Sequence, residues 1–202
     1  MPAAHDLNAA AVVATLTRVA SDGGNRAGRA VSGLLGQEVS IEVPSVRLGT
    51  RADAAEALGG AEAIVLGAYL GISGDVTGHV VLLFPAARAL ECVDLMCGLF
   101  RGATTAPDEL AESAIGELGN VVGSAFVNAL ADDLNLVLHP TPPAFLHDMA
   151  GAVLQTLYAE ILAQDGDVAI MDTVFAEPSG RVAGILIVAP DPVCLGQLER
   201  AA

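Results

Sequence analysis

The stretch DELAESAIGELGNVVGSAFVNALADDL, Asp108 to Leu134, decides how the rest of the chain is read. Ala111, Ile115, Leu118, Val122, Phe126 and Ala129 fall on one stripe at roughly 100° per residue, which predicts a helix with its back in a core. The opposite stripe holds Ser113, Glu117, Asn120, Ser124 and Asn128. Ser113, Glu117 and Asn120 stand at i, i+4 and i+7, so a carboxylate and a carboxamide project side by side from one face. Thr105-Ala-Pro-Asp108 supplies the expected start, with a hydroxyl able to cap and an acid in the first turn. By residue type alone, such a stripe is the solvated face of an ordinary amphipathic helix.

Outward from that helix, the chain repeats itself. Leu7 to Leu35 has helical apolar spacing and is followed by an extended segment, Val39 to Pro44; the second helix is followed by Leu136 to Pro143. Pro44 and Pro143 stand 99 positions apart (143 − 44), and the same shift lays Val43-Pro44 on Pro142-Pro143. It also lays Ala30 on Ala129, Leu35 on Leu134, and Leu16 and Val19 on Ile115 and Leu118. A period this long indicates a duplicated half-domain and not a solenoid.

Each half continues with strands. Ala63 to Leu70 and Val76 to Phe84 flank the turn-rich Gly71-Ile72-Ser73-Gly74-Asp75, while Val168 to Ala176 and Val182 to Ala189 flank Glu177-Pro178-Ser179-Gly180. Amphipathic helices are expected over Ala86 to Phe100 and His147 to Ala163. The pattern predicts an α+β fold: one domain over residues 1–202, made of pseudo-twofold halves of about 7–100 and 105–200, an antiparallel β-sheet with packed helices.

Composition removes several functional classes. The 202 residues are 53% apolar, enough for a real core, but only 3% aromatic and without Trp, which disfavours a base-stacking platform. Asp and Glu number 24 against 9 basic residues, and every basic residue is Arg. A net charge of −15 repels phosphate backbones and anionic lipid, so neither nucleic acid nor a membrane surface is an expected partner. The Lys-free, acid-rich, Ala-rich composition fits a halophile and a high-GC mesophile equally. Cys92, Cys97 and Cys194 lack metal-ligand spacing and read as structural, and no metal is expected.

His5, His79, His139 and His147 are scattered, Asp165-Gly-Asp167 lacks the other ligands of a calcium loop, and Gly23-Gly24-Asn25 has no phosphate-binding Lys. The start, Met1-Pro2-Ala3-Ala4-His5-Asp6, is not a signal peptide, and apolar runs such as Val80 to Phe84 and Ile185 to Ala189 are too short to span a bilayer. A soluble, cytoplasmic protein is expected.

The pattern Ser113-x3-Glu117-x2-Asn120-x22-Pro143 resembles the signature of the CheC/CheX/FliY phosphatase family, CheC most of all, in which an Asp or Ser, a Glu, an Asn and a Pro stand at that spacing. Glu117-Leu-Gly-Asn120-Val-Val-Gly123, Ala129-Leu-Ala131, Pro142-Pro143 and Asp148-Met149 are similar to the family too, and the first half aligns as well. The resemblance implies removal of phosphate from the aspartyl-phosphate of a CheY-like chemotaxis receiver, which carries its own Mg²⁺; no cofactor is implied on this chain. Asn120 would hold a water in line, Glu117 would engage the receiver's active-site lysine, and Ser113 would support the helix face. Pro143 would stiffen the turn beside the site. An alternative is an adaptor that holds the deamidase CheD or a receiver, with helix 147–163 as a candidate surface. A FliY-like switch component is disfavoured for want of an extra switch-binding region.

The first half departs from the family pattern. The shift of 99 maps Glu117 to Arg18, Asn120 to Ser21 and Ser113 to Ala14, while Pro143 maps to Pro44. The frame persists without the chemistry, so this half is expected to be a degenerate site; Asn25 is a rival for the missing amide, four residues late.

Overall fold

The structure is a computed structural model that describes residues 9–161, 168–178 and 180–190, together with Leu198. Strands β1 (Ser40–Gly49), β2 (Ile64–Gly74), β3 (Gly78–Pro85), β4 (Leu138–Pro140), β5 (Ala144–Met149), β6 (Val168–Glu177) and β7 (Gly180–Pro190) form one sheet. Its order is β1-β6-β7-β3-β2-β4, with β5 also on β2, and every pairing is antiparallel.

Helices α1 (Ala9–Leu35), α3 (Ala86–Met96) and α4 (Glu109–Leu134) cover one face; α2 (Arg51–Ala57) and α5 (Ala150–Ile161) cover the other. Two-sided burial explains why Val80 to Phe84 is apolar without alternation: Val80, Leu82 and Phe84 enter the α1/α3/α4 core, whereas Val81 and Leu83 enter the α2/α5 core. The element order α-β-α-β-β occurs twice, with α3 between the two runs and the second run's edge strand split into β4 and β5.

Several local expectations are corrected. The β2–β3 turn is Asp75-Val76-Thr77 and not Gly71 to Asp75, because Gly71 and Ile72 pair with His79 and Gly78. His147, Asp148 and Met149 belong to β5, held against Leu66, Val65 and Ile64, so the following helix begins only at Ala150. Helix α3 ends at Met96, since Gly98 takes φ 66° and turns the chain, which leaves Leu99 and Phe100 outside it. The cap of α4 is Asp108, whose carboxylate accepts the Ala111 N–H at 2.9 Å; Thr105 is not the cap.

Helix α2 lies outside the sequence expectations, although Thr50 and Asp53 form the capping box that announces it. Cys92 is buried, which pushes its thiol pKa far up, and Cys97 is half-buried. Cys194, His5, Asp165-Gly-Asp167, Ser179 and Leu162-Ala163 lie outside the described residues. Among those described, α4 alone is long and apolar enough by length and composition to cross a bilayer, and its apolar face is taken up by the core.

Candidate functional site

All six residues of the predicted apolar stripe of α4 are buried: Ala111, Ile115, Leu118, Val122, Phe126 and Ala129. That seating leaves Ser113 and Glu117 exposed and Asn120 half-buried on the outer face. Among the described residues, no hydrogen bond or ion pair engages the Glu117 carboxylate or the Asn120 carboxamide. Asp108 as cap, with Glu109 and Glu112 in the first turn, complements the positive end of the helix dipole and makes this face acidic.

Two glycines flanking Asn120 fix its height above the sheet. A Cβ on Gly119 would overlap the Ala68 methyl of β2, and one on Gly123 would lie 3.0 Å from Leu70 Cδ1. Glycine inside a helix costs about 1 kcal/mol relative to Ala. Here it lets α4 lie directly on β2. The sequence motif contained both glycines, but their role is visible only in the contact.

Pro143 is brought to the same place. In the β2–β5 register Ala68 faces Phe145, so Pro143 stands only two residues, about 7 Å along the strand, from the point where Gly119 meets the sheet. Between β4 and β5, Thr141, Pro142 and Pro143 oppose only Leu70 and Gly71, a one-residue bulge at the sheet edge. Neither proline can donate to a ladder, so the bulge is where they fit. Thr141, which sequence reasoning missed, pins it: its N–H donates to the Gly71 carbonyl at 2.9 Å, and its Oγ1 accepts the Gly71 N–H at 2.9 Å.

The first half repeats the proline bulge but seats its helix differently, since Gly119 maps to Ala20 and the glycines of α1 meet the edge strand instead. Gly24 and Gly28 of α1 lie on β1: a Cβ on Gly24 would lie 2.6 Å from the Ile41 carbonyl oxygen and one on Gly28 3.1 Å from that of Val39. Val43 and Pro44 oppose the single residue Thr173, again a one-residue bulge. Arg18 and Ser21 are exposed at the corresponding place on α1, as is Ala14. Arg18 is not idle there. Its Nε and Nη2 donate to the Asp133 carboxylate of α4 at 2.7 and 2.8 Å, and this hydrogen bonding raises its pKa. Arg26 similarly joins Asp132 and Asp22, each at 2.6 Å. No group of three His, Cys, Asp or Glu able to hold a metal occurs among the described residues.

A family described as "CheC-like family" matches residues 110–147, the span from the first turn of α4 through the proline bulge into β5. The "CheY-P phosphatase CheC" of Bacillus subtilis (strain 168) is 31% identical over 158 residues, covering 77% of this chain and 75% of that protein. In fold, FliY of Thermotoga maritima superposes with a TM-score of 0.78 at 16% identity over 94% of both chains. The FliM middle domain of H. pylori gives 0.66 at 12% identity, over 95% of this chain and 98% of that one. With the α4 face, the proline bulge and a relative this similar over most of both lengths, the chain belongs to the CheC-like family.

Proposed function

We propose that this protein hydrolyses the aspartyl-phosphate of a CheY-like chemotaxis receiver in the cytoplasm, through a single site made by Glu117 and Asn120. The observation that carries the reading is that both side chains face outward, unpaired among the described residues, from a helix whose height is set by Gly119 and Gly123. The name of the Bacillus subtilis relative supports the same chemistry.

An acyl phosphate is already activated, so a protein that adds a placed water and a fixed orientation has most of what hydrolysis needs. Asn120 offers a neutral donor and acceptor that orients the water oxygen toward phosphorus but is too weak a base to deprotonate it. The new P–O bond forms as the bond to the aspartyl oxygen breaks. The aspartate leaves as a carboxylate, and the water proton ends on inorganic phosphate. The receiver's own Mg²⁺ supplies charge neutralisation. Glu117, one turn earlier, presents a carboxylate to the receiver's active-site lysine, and Ser113 continues the same face. Pro143, in its bulge, stiffens the strand edge beside Asn120. In the first half, Arg18 and Ser21 replace the working pair, and Pro44 retains only the frame.

Phosphate release from a phosphorylated CheY-like receiver, with and without the protein, tests the activity. Asn120→Ala should slow it at least about tenfold, roughly 1.4 kcal/mol in the barrier, with receiver binding kept. Glu117→Lys should instead weaken binding, by placing like charges together. A wild type that binds a receiver or CheD without accelerating phosphate release would make the protein an adaptor and remove Asn120 from its role.

A further inference from the structure

Helix α4 carries its polar pair in the middle of an arc that begins with one exposed apolar residue, Leu110, set between Glu109 and Glu112. Leu110 is 50% exposed, and with Ser113, Glu117 and Asn120 it completes the spacing i, i+3, i+7, i+10, so one arc of the helix runs from an apolar start to the polar site.

The loop before it adds a second apolar group. Phe100 is 78% exposed, far more than any other large hydrophobic residue among those described, and Leu99 is 45% exposed. This loop is held in place. The Leu99 N–H donates to the Asp94 carbonyl at 2.8 Å, and the Asp94 carboxylate accepts the Gly102 and Thr104 N–H groups at 2.7 and 2.9 Å. Ala103 N–H closes a turn onto the Phe100 carbonyl at 3.1 Å. Asp94 is 1% exposed; its burial raises its pKa, but hydrogen bonds from the Thr104 side chain and amide and from Gly102 and Ala103 outweigh this, so the net shift is downward. A buried carboxylate thus braces the segment that displays Phe100. Helix α3, from which the loop departs, packs against α4 in the same core, so the loop joins two helices already in contact.

We propose that Leu110 and Phe100 form an apolar anchor that docks the phosphorylated receiver and sets its register over Glu117 and Asn120. The inference rests on the phosphatase reading. It commits to a receiver surface with an apolar patch bordered by Lys or Arg. Two observations argue for that occupant: Leu110 lies on the same helical arc as Glu117 and Asn120, and Asp108, Glu109 and Glu112 give the start of that arc an acidic rim. A second copy of this chain, at net charge −15, would bring a like-charged rim against that one. An exposed Phe is among the residue types enriched at protein interfaces, and Leu110 adds apolar area beside the polar pair.

The test is steady-state dephosphorylation of a phosphorylated CheY-like receiver by Leu110→Ser, Phe100→Ser and the control Val137→Ser. Val137 is 60% exposed just beyond the far end of α4, about 39 Å from its start. Both residues of the anchor are exposed, so the fold tolerates their truncation. Leu110→Ser and Phe100→Ser should each raise KM about tenfold with kcat changed less than twofold, while Val137→Ser keeps the wild-type KM. Asn120→Ala in the same assay should lose kcat instead. Wild-type KM in both anchor variants overturns the anchor and leaves the phosphatase reading standing. A wild-type protein that releases no phosphate overturns both.

Discussion

Two glycines three positions apart on α4 should respond in opposite directions to the same substitution. At Gly116 an added Cβ meets nothing within 4 Å, so Gly116→Ala gains only helix propensity, about 1 kcal/mol. At Gly119 the new methyl overlaps the methyl of Ala68, which is fully buried on β2 and has no rotamer to escape into. Relief requires α4 or β2 to move. Overpacking of that kind costs about 1–3 kcal/mol, and with backbone atoms on both sides the upper end applies. After the propensity gain, Gly119→Ala should be about 2 kcal/mol less stable than the wild type. For a chain of this size each kcal/mol moves Tm by about 2–4 °C, so the two variants should straddle the wild type by about 2–4 °C upward and 4–8 °C downward. Thermal melts followed by circular dichroism would read both shifts. Lifting α4 also moves Asn120 away from the Pro142-Pro143 bulge, so Gly119→Ala should lose phosphate release at temperatures where it is still folded, and Gly116→Ala should not. A Gly119→Ala protein as stable as Gly116→Ala would refute the idea that helix–strand contact sets the height of the site.

Further outcomes follow from other parts of the molecule. Asp94→Asn should cost about 1–3 kcal/mol, because two loop amides lose a charged acceptor. Since the folded-state pKa of Asp94 is depressed, its contribution is present above the ordinary carboxylate pKa and lost as pH falls through the folded value. The Tm gap between wild type and variant should therefore narrow from about pH 7 to pH 3, and a constant gap would contradict the assignment. If the Lys-free surface at net charge −15 is adapted to high ionic strength, Tm should rise along a KCl series; a flat or falling midpoint leaves that adaptation without support. Arg18→Ala and Ser21→Ala should each leave receiver dephosphorylation within about twofold, since both act outside the proposed site and an exposed ion pair contributes little. A Ser21→Ala loss as large as that of Asn120→Ala would make the first half catalytic.

Long periodic elements were legible in the sequence because their pattern is the packing. The six residues that the 3.6-residue spacing of α4 nominates are all buried, although Ala114, Gly119, Gly123, Val127 and Leu130 are buried with them, and the strands on either side of 75–77 and 178–179 carry apolar runs that a sheet covered on both faces accommodates. What stayed hidden were features that tertiary contact decides. Helical projection treats 147–149 and 150–161 alike, but pairing with Ile64 to Leu66 claims the first three residues for β5. Helix α2 is too short to show periodicity, so only its capping box marks it. For the site, the Glu117/Asn120 spacing could be read directly, whereas the seating by Gly119 and the pinning by Thr141 needed the partner strand to be visible.

The contrast between the two helix faces has a physical cause in how the helices lie. Gly23 meets Phe126 and Arg18 meets Asp133, so α1 and α4 run antiparallel, and the position on α1 that corresponds to Glu117 falls beside the acidic end of α4. Asp132 and Asp133 sit there, close to the negative end of the helix dipole. A carboxylate at position 18 would face two aspartates and that dipole at once; an arginine there gains a bidentate partner. The corresponding partner position for Glu117 is Leu34, in the last turn of α1 and 57% exposed; Glu117 meets a helix dipole there as well, but no carboxylate. Charge at the ends of neighbouring helices thus separates two otherwise similar frames: one face is free to present Glu and Asn, while the other is better used as a tie between α1 and α4. Restoring Glu at position 18 and Asn at position 21 would therefore leave a carboxylate against Asp133 unless Asp133 were neutralised too.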